Sequence, residues 1–138
     1  MTSPALRARY LTDSVTTATP GQLLVMLYDR LVLDMVRGEE ALRAGNRLTA
    51  SEHVIHAQEI LMELRVTLDT SSWSGATGLA QLYAFLITEL IAANIRGEAD
   101  RVGSCRTLVE PLRDAWREAA MAQPEPATPA EAAVARVA

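Results

Sequence analysis

The chain contains no lysine, one cysteine and one phenylalanine in 138 residues. Each shortage closes a class of function. With no lysine and a formal net charge of -4, it has no basic face to neutralise phosphates, which argues against a nucleic-acid partner. The lone Cys105 has no internal disulfide partner and fits a reducing compartment. The opening MTSPALRARYLTDS lacks the apolar centre of a signal peptide. No later window runs to the roughly 18 unbroken apolar residues of a membrane span. A cytosolic protein with no membrane partner is the expectation. Catalytic signatures are missing too. There is no nucleophile elbow, and Gly75-Ala76-Thr77-Gly78 lacks the preceding strand that a phosphate-binding loop needs. Neither an enzyme nor a cofactor is expected.

The two histidines, His53 and His56, stand three apart with Glu52 and Glu59 nearby. A di-iron bundle needs Glu-x-x-His pairs on two helices, but the residues three before these histidines are Ala50 and His53. They are expected on a polar helix face, exposed or partly covered, with no metal. A histidine-phosphotransfer bundle would want a lysine beside the phosphoryl group, and none exists. Cys105 falls on an apolar stripe and reads as a small core filler.

What the chain does have is aliphatic bulk. Hydrophobic residues make up 49% of it, with only two Trp, three Tyr and one Phe, so Leu, Ala, Val and Ile must do the packing. The length suits one domain. Thr19-Pro20-Gly21-Gln22 predicts a helix start: Thr19 caps, Pro20 presets φ at the first helical position, and Gln22 completes a capping box. Leu23, Leu24, Leu27, Tyr28, Leu31, Met35 and Val36 then recur at helical spacing. The first helix is predicted over 20–44, stopped by Gly45-Asn46. A second starts near Leu48 or Thr49 and carries Val54, Ala57, Leu61, Leu64 and Leu68, with Ile55, Met62 and Val66 alongside. After a loop over 69–78, a third covers 79–96 and is apolar nearly all round, adding Phe85, Ile87, Ile91 and Ile95 to its main stripe. Gly97 ends it, and a fourth follows with Val102, Cys105, Leu108, Val109, Leu112, Ala115, Trp116 and Ala119. Pro111 predicts a kink near Thr107. Short links make an antiparallel up-down four-helix bundle the expected all-α architecture over 19–122. Residues 1–18 read as a short N-terminal segment, either frayed or docked, and 123–138 as a disordered Pro/Ala-rich tail.

Several blocks resemble a known family. Tyr10, Val15, Thr17-Ala18-Thr19-Pro20, Leu23-Leu24 and Met26-Leu27-Tyr28-Asp29 are similar to the N-terminal signature of the flagellar export chaperone family FliS. Leu64-Arg65-Val66-Thr67-Leu68-Asp69, Leu82-Tyr83, Leu90 with Ala92-Ala93-Asn94, and Leu112-Arg113-Asp114-Ala115-Trp116 continue the resemblance in order. It implies a cytosolic chaperone that holds the C-terminal segment of flagellin before export, with the flagellar export apparatus as a further partner. It also implies that the N-terminal tyrosine occupies an apolar groove shared with the cargo, so that residues 5–15 act as a lid. The groove or lid residues expected on this basis are Tyr10, Leu11, Val15, Leu24, Leu27, Tyr28, Leu68, Tyr83 and Asn94.

Independently of the resemblance, the second and third helices carry more apolar surface than one bundle stripe requires. That surplus fits a groove for amphipathic segments, a generous core or a homodimer face. A four-helix adaptor or dimerisation module is the alternative reading of the same pattern.

Overall fold

The computed structural model describes residues 17–122, and within them four helices account for nearly all of the chain. The calls on Tyr10, Leu11, Val15, the lid and the C-terminal tail lie outside the described residues.

Helix α1 spans Pro20–Arg43. Its start follows from the sequence signal: Thr19 Oγ1 accepts from the Gln22 amide at 3.1 Å, and Gln22 Oε1 accepts from the Thr19 amide at 2.9 Å. Gly45 takes φ +77°, a left-handed conformation that frees the chain to reverse, and Asn46 caps α2 over Arg47–Thr67. Helix α3 spans Ala76–Arg96, beginning three residues earlier than expected because Ala76 is itself fully buried. Gly97 at φ +71° ends it, and α4 spans Ala99–Ala122. Pro111 lies inside α4 without ending it. Both Pro111 and Thr107, whose carbonyl loses its amide partner, are exposed, so water can satisfy that carbonyl.

α1 is the backbone of the bundle, packed closely on both α2 and α4, while α3 packs on α2 and only loosely on α4. The order of neighbours is therefore an up-down ring whose least closed seam is α3 against α4. Tyr28, Leu31, Met35, Val54, Leu61, Leu86, Leu90, Val102 and Val109 form a dry centre. Val32, rather than the expected Val36, supplies an inner position of α1, and Val36 packs at the margin. Gly38 is needed where α1 and α2 approach most closely: a Cβ there would meet Val54 Cγ2 at 2.8 Å. Cys105 is buried in this core as expected. Burial, reinforced by Glu89, pushes its thiol up to about 11, so it stays protonated at neutral pH.

Ion pairs stitch α4 to α1: Arg106 to Glu39 at 3.2 Å, Arg117 to Asp29 at 2.6 Å, and Asp100 to Arg43 at 3.0 Å. The second and third of these are exposed, and exposed pairs contribute little stability, roughly 0–1 kcal/mol each.

Candidate functional site: an apolar face on α3 and its seams

α3 decides what the surface can do. Between Ala76 and Ile95 its one charged side chain is Glu89, which turns to α4 and accepts from Arg101 at 2.6 Å. The outward face is consequently neutral. Gln81, Phe85, Thr88, Ile91 and Ile95 are all exposed on it. By length and composition this helix would pass for a membrane span, with a mean hydropathy of 1.4, yet only 33% of the apolar window is buried in the bundle. Its inner stripe, Leu79, Tyr83, Leu86, Leu90 and Ala93, is core. Leu82 and Ile87 pack at its margins, and Phe85, Ile91 and Ile95 face out.

Two polar contacts establish what flanks that face. Asn94 Nδ2 donates to Ser51 Oγ at 3.2 Å and pins one edge of α3 to α2. Side chains three, four or seven residues away share a helix side, so Ile91 and Ile87 line the α3 half of this seam. Ile55, Met62 and Val66, at four, eleven and fifteen residues beyond Ser51, line the α2 half. Ile55 and Ile91 are 43% and 42% exposed, and Val66 and Ile95 are 81% and 72% exposed. From Leu48 to Val66 the α2 stripe runs about 27 Å at roughly 1.5 Å per residue. The pair of Glu89 with Arg101 marks the opposite edge. Phe85, four before Glu89, and Leu108, seven after Arg101, flank it and are both about half exposed. At the end of the α2/α3 seam Arg47 donates to the Asn94 carbonyl at 2.8 Å and to the Ile95 carbonyl at 3.1 Å, closing the last turn of α3.

The described residues expected in the groove take different places. Tyr28 and Tyr83 come together from α1 and α3, but inside the core, where their phenol oxygens hydrogen-bond each other. Tyr28 also lies against the Trp116 ring at 6.4 Å between centroids. Leu24, Leu27 and Leu68 pack half-buried against the same core. Asn94 alone among the described candidates lies along the apolar seam, as the clasp to Ser51. The exposed residues Ile55, Met62, Val66, Phe85, Ile91 and Ile95 were legible as surplus apolar positions in the sequence, though not as a site. The signal that marks them is the lack of any outward charge on α3.

Burial raises both phenols above their ordinary value of 10.0. An acid raised by folding favours the folded chain in its protonated form. The contribution is whole below pH 10 and declines as pH rises past it. Tyr83→Phe leaves the Tyr28 hydroxyl buried without its partner and is expected to cost about 1–3 kcal/mol, read from the urea midpoint. The double variant with Tyr28→Phe removes both polar groups and should recover part of that loss; no recovery would show that the phenols are not coupled.

One polar centre had no signal beyond its histidines. Asp34, on α1, is completely buried. Its carboxylate accepts from Arg30 Nε at 3.3 Å and from the Nδ1 atoms of His53, at 3.2 Å, and His56, both on α2. The histidine rings are partly covered, as expected. What spacing did not reveal is that they hydrogen-bond a buried carboxylate inside the α1/α2 interface. Among the described residues no group of three His, Cys, Asp or Glu side chains is arranged to hold a metal.

Among the described residues, a closed helical core with a neutral, apolar outer face is an arrangement suited to receiving another chain. The comparisons with known proteins agree. Residues 2–123 match the family model described as flagellar protein FliS, and the chain belongs to that family. It is 31% identical over 110 residues to the flagellar secretion chaperone FliS of Bacillus subtilis strain 168, covering 80% of this chain and 82% of that one. Against the flagellar secretion chaperone FliS of Escherichia coli K12 it is 30% identical over 108 residues, covering 77% and 79%. The Salmonella typhimurium LT2 protein of the same name is also 30% identical over 108 residues, covering 77% and 80%. This is a family of flagellar secretion chaperones rather than of enzymes.

Proposed function

We propose that the protein works in the cytosol as a flagellar secretion chaperone whose client is the disordered C-terminal segment of flagellin. The segment is held as an amphipathic chain along the outer face of α3, which prevents its polymerisation and keeps it competent for export. The observation that carries this reading is the neutral outer face of α3, with half-exposed isoleucines continuing it across the α2 seam. A disordered segment that folds on such a surface typically buries about 1,000–3,000 Å² and spends roughly 2–5 kcal/mol on ordering, so many apolar contacts have to share the work. Family membership supplies the export setting.

The N-terminal lid belongs to the same proposal. In it, residues 5–15 cover part of the surface that the client uses, so that removing them changes client affinity. Tyr10, Leu11 and Val15 are the apolar side chains such a lid offers. Co-expression with a flagellin C-terminal segment followed by size-exclusion chromatography tests the reading. A 1:1 co-eluting complex is expected. Elution of the chaperone apart from the segment, whether as a lone monomer or as a homodimer, would replace the proposal with the adaptor or dimerisation reading.

A further inference from the structure

The apolar stripe on α2 has two different borders. On one side lies the neutral face of α3. On the other, Glu52, Glu59 and Glu63 are all exposed, at steps of seven and four residues that keep them on one side of the helix. They occupy the side of α2 turned toward α1, since His56, four residues after Glu52, reaches Asp34 there. Among the described residues none of the three carboxylates has an ion-pair partner. The arginines near the α2/α3 seam sit at its ends: Arg65 is exposed near one end and Arg47 is occupied by the α3 carbonyls at the other.

We infer that the segment received by this face is an amphipathic helix with basic side chains along one edge, the edge that lies over the outer side of α2. This rests on the proposed docking face and adds the chemistry and orientation of its occupant. An apolar stripe about 27 Å long takes roughly five turns of helix. Arginines or lysines repeating at seven and four residues along that helix stand over Glu59 and its two neighbours, while the opposite edge meets only neutral groups on α3. Such rim charges act mainly on the association rate and on orientation, because they remain partly in water. The same three carboxylates repel an anionic lipid surface, so the apolar face is built for a basic-edged protein segment rather than a membrane.

Two synthetic peptides of about 20 residues test this, both with the same leucine and alanine stripe. One has lysines at the seven and four spacing on one flank, and the other has glutamates there. The lysine peptide is expected to bind the full-length protein at least about tenfold more tightly at low salt, with the difference collapsing near 0.5 M salt. E52K/E59K/E63K should reverse the preference, and E52Q/E59Q/E63Q should abolish it. These positions are exposed, so circular dichroism should be unchanged. Equal binding of both peptides, lost on Ile91→Asp, overturns the charge rail but leaves the docking face standing. Failure of both peptides and of the flagellin segment to bind overturns the two together. Capture of phosphatidylserine vesicles in preference to the lysine peptide overturns the rail and assigns the face to a membrane.

Discussion

Ile55→Asp combined with Ile91→Asp is expected to weaken binding of the flagellin segment by more than a hundredfold while leaving the bundle helical. The two side chains each lie one helical step from the Ser51–Asn94 hydrogen bond that joins α2 to α3, and each is a little under half exposed. Covering what remains of an isoleucine contributes on the order of 1 kcal/mol, given about 1.5–3 kcal/mol for burying one completely. Two carboxylates placed in a surface that has to dry out on binding add a further penalty of at least about 1 kcal/mol each. The sum, roughly 3–4 kcal/mol or more, corresponds to a loss of over a hundredfold. Isothermal titration measures it, with circular dichroism as the control for folding. Binding that survives the double change would move the client off this seam. The more obvious choice from sequence, acidic replacement of Leu27 and Tyr28, would not make a clean test. Tyr28 is fully buried against Tyr83 and Trp116, and a charge there would unfold the core before it probed a surface.

His53→Leu with His56→Leu is expected to destabilise the protein by about 3 kcal/mol or more, which is large for two histidines that are partly exposed. The reason lies in Asp34. Its carboxylate is wholly buried, and removal of both rings leaves Arg30 as the remaining partner identified for it. A buried charge stripped of partners costs far more than a well-packed apolar replacement of the whole group. The triple variant that adds Asp34→Leu should therefore be more stable than the double, although it carries one more substitution. Urea midpoints at constant slope measure the difference. A triple variant less stable than the double would mean that Asp34 contributes through packing rather than through its charge.

Both predictions depend on features that a linear reading sees only in part. Spacing was sufficient for the helices because it is a local property. Thr19 and Gln22 cap α1 as their separation requires, and Gly45 and Gly97 end helices in a left-handed conformation that glycine adopts without the strain a Cβ would bring. The early start of α3 was missed because Ala76 is helical for a tertiary reason, its burial, which its neighbours in sequence do not encode. Pro111 breaks a local rule without ending α4, at a point where both it and Thr107, whose carbonyl it orphans, are exposed.

The amino-acid sequence by itself determined four amphipathic helices, short reversals between them, a core of aliphatic side chains and an excess of apolar residues on α2 and α3. All of these follow from periodicity and turn chemistry acting over a few residues. Only the tertiary structure decided which face of each helix is spent inside. It put Tyr28 and Tyr83 in the core and left Ile55, Phe85, Ile91 and Ile95 outside, and it brought His53 and His56 onto Asp34 from another helix. A helix that is apolar all round has no preferred inner side of its own. Its neighbours choose one, here through Ser51 with Asn94 and Glu89 with Arg101, and what they leave over becomes the surface proposed to hold the client.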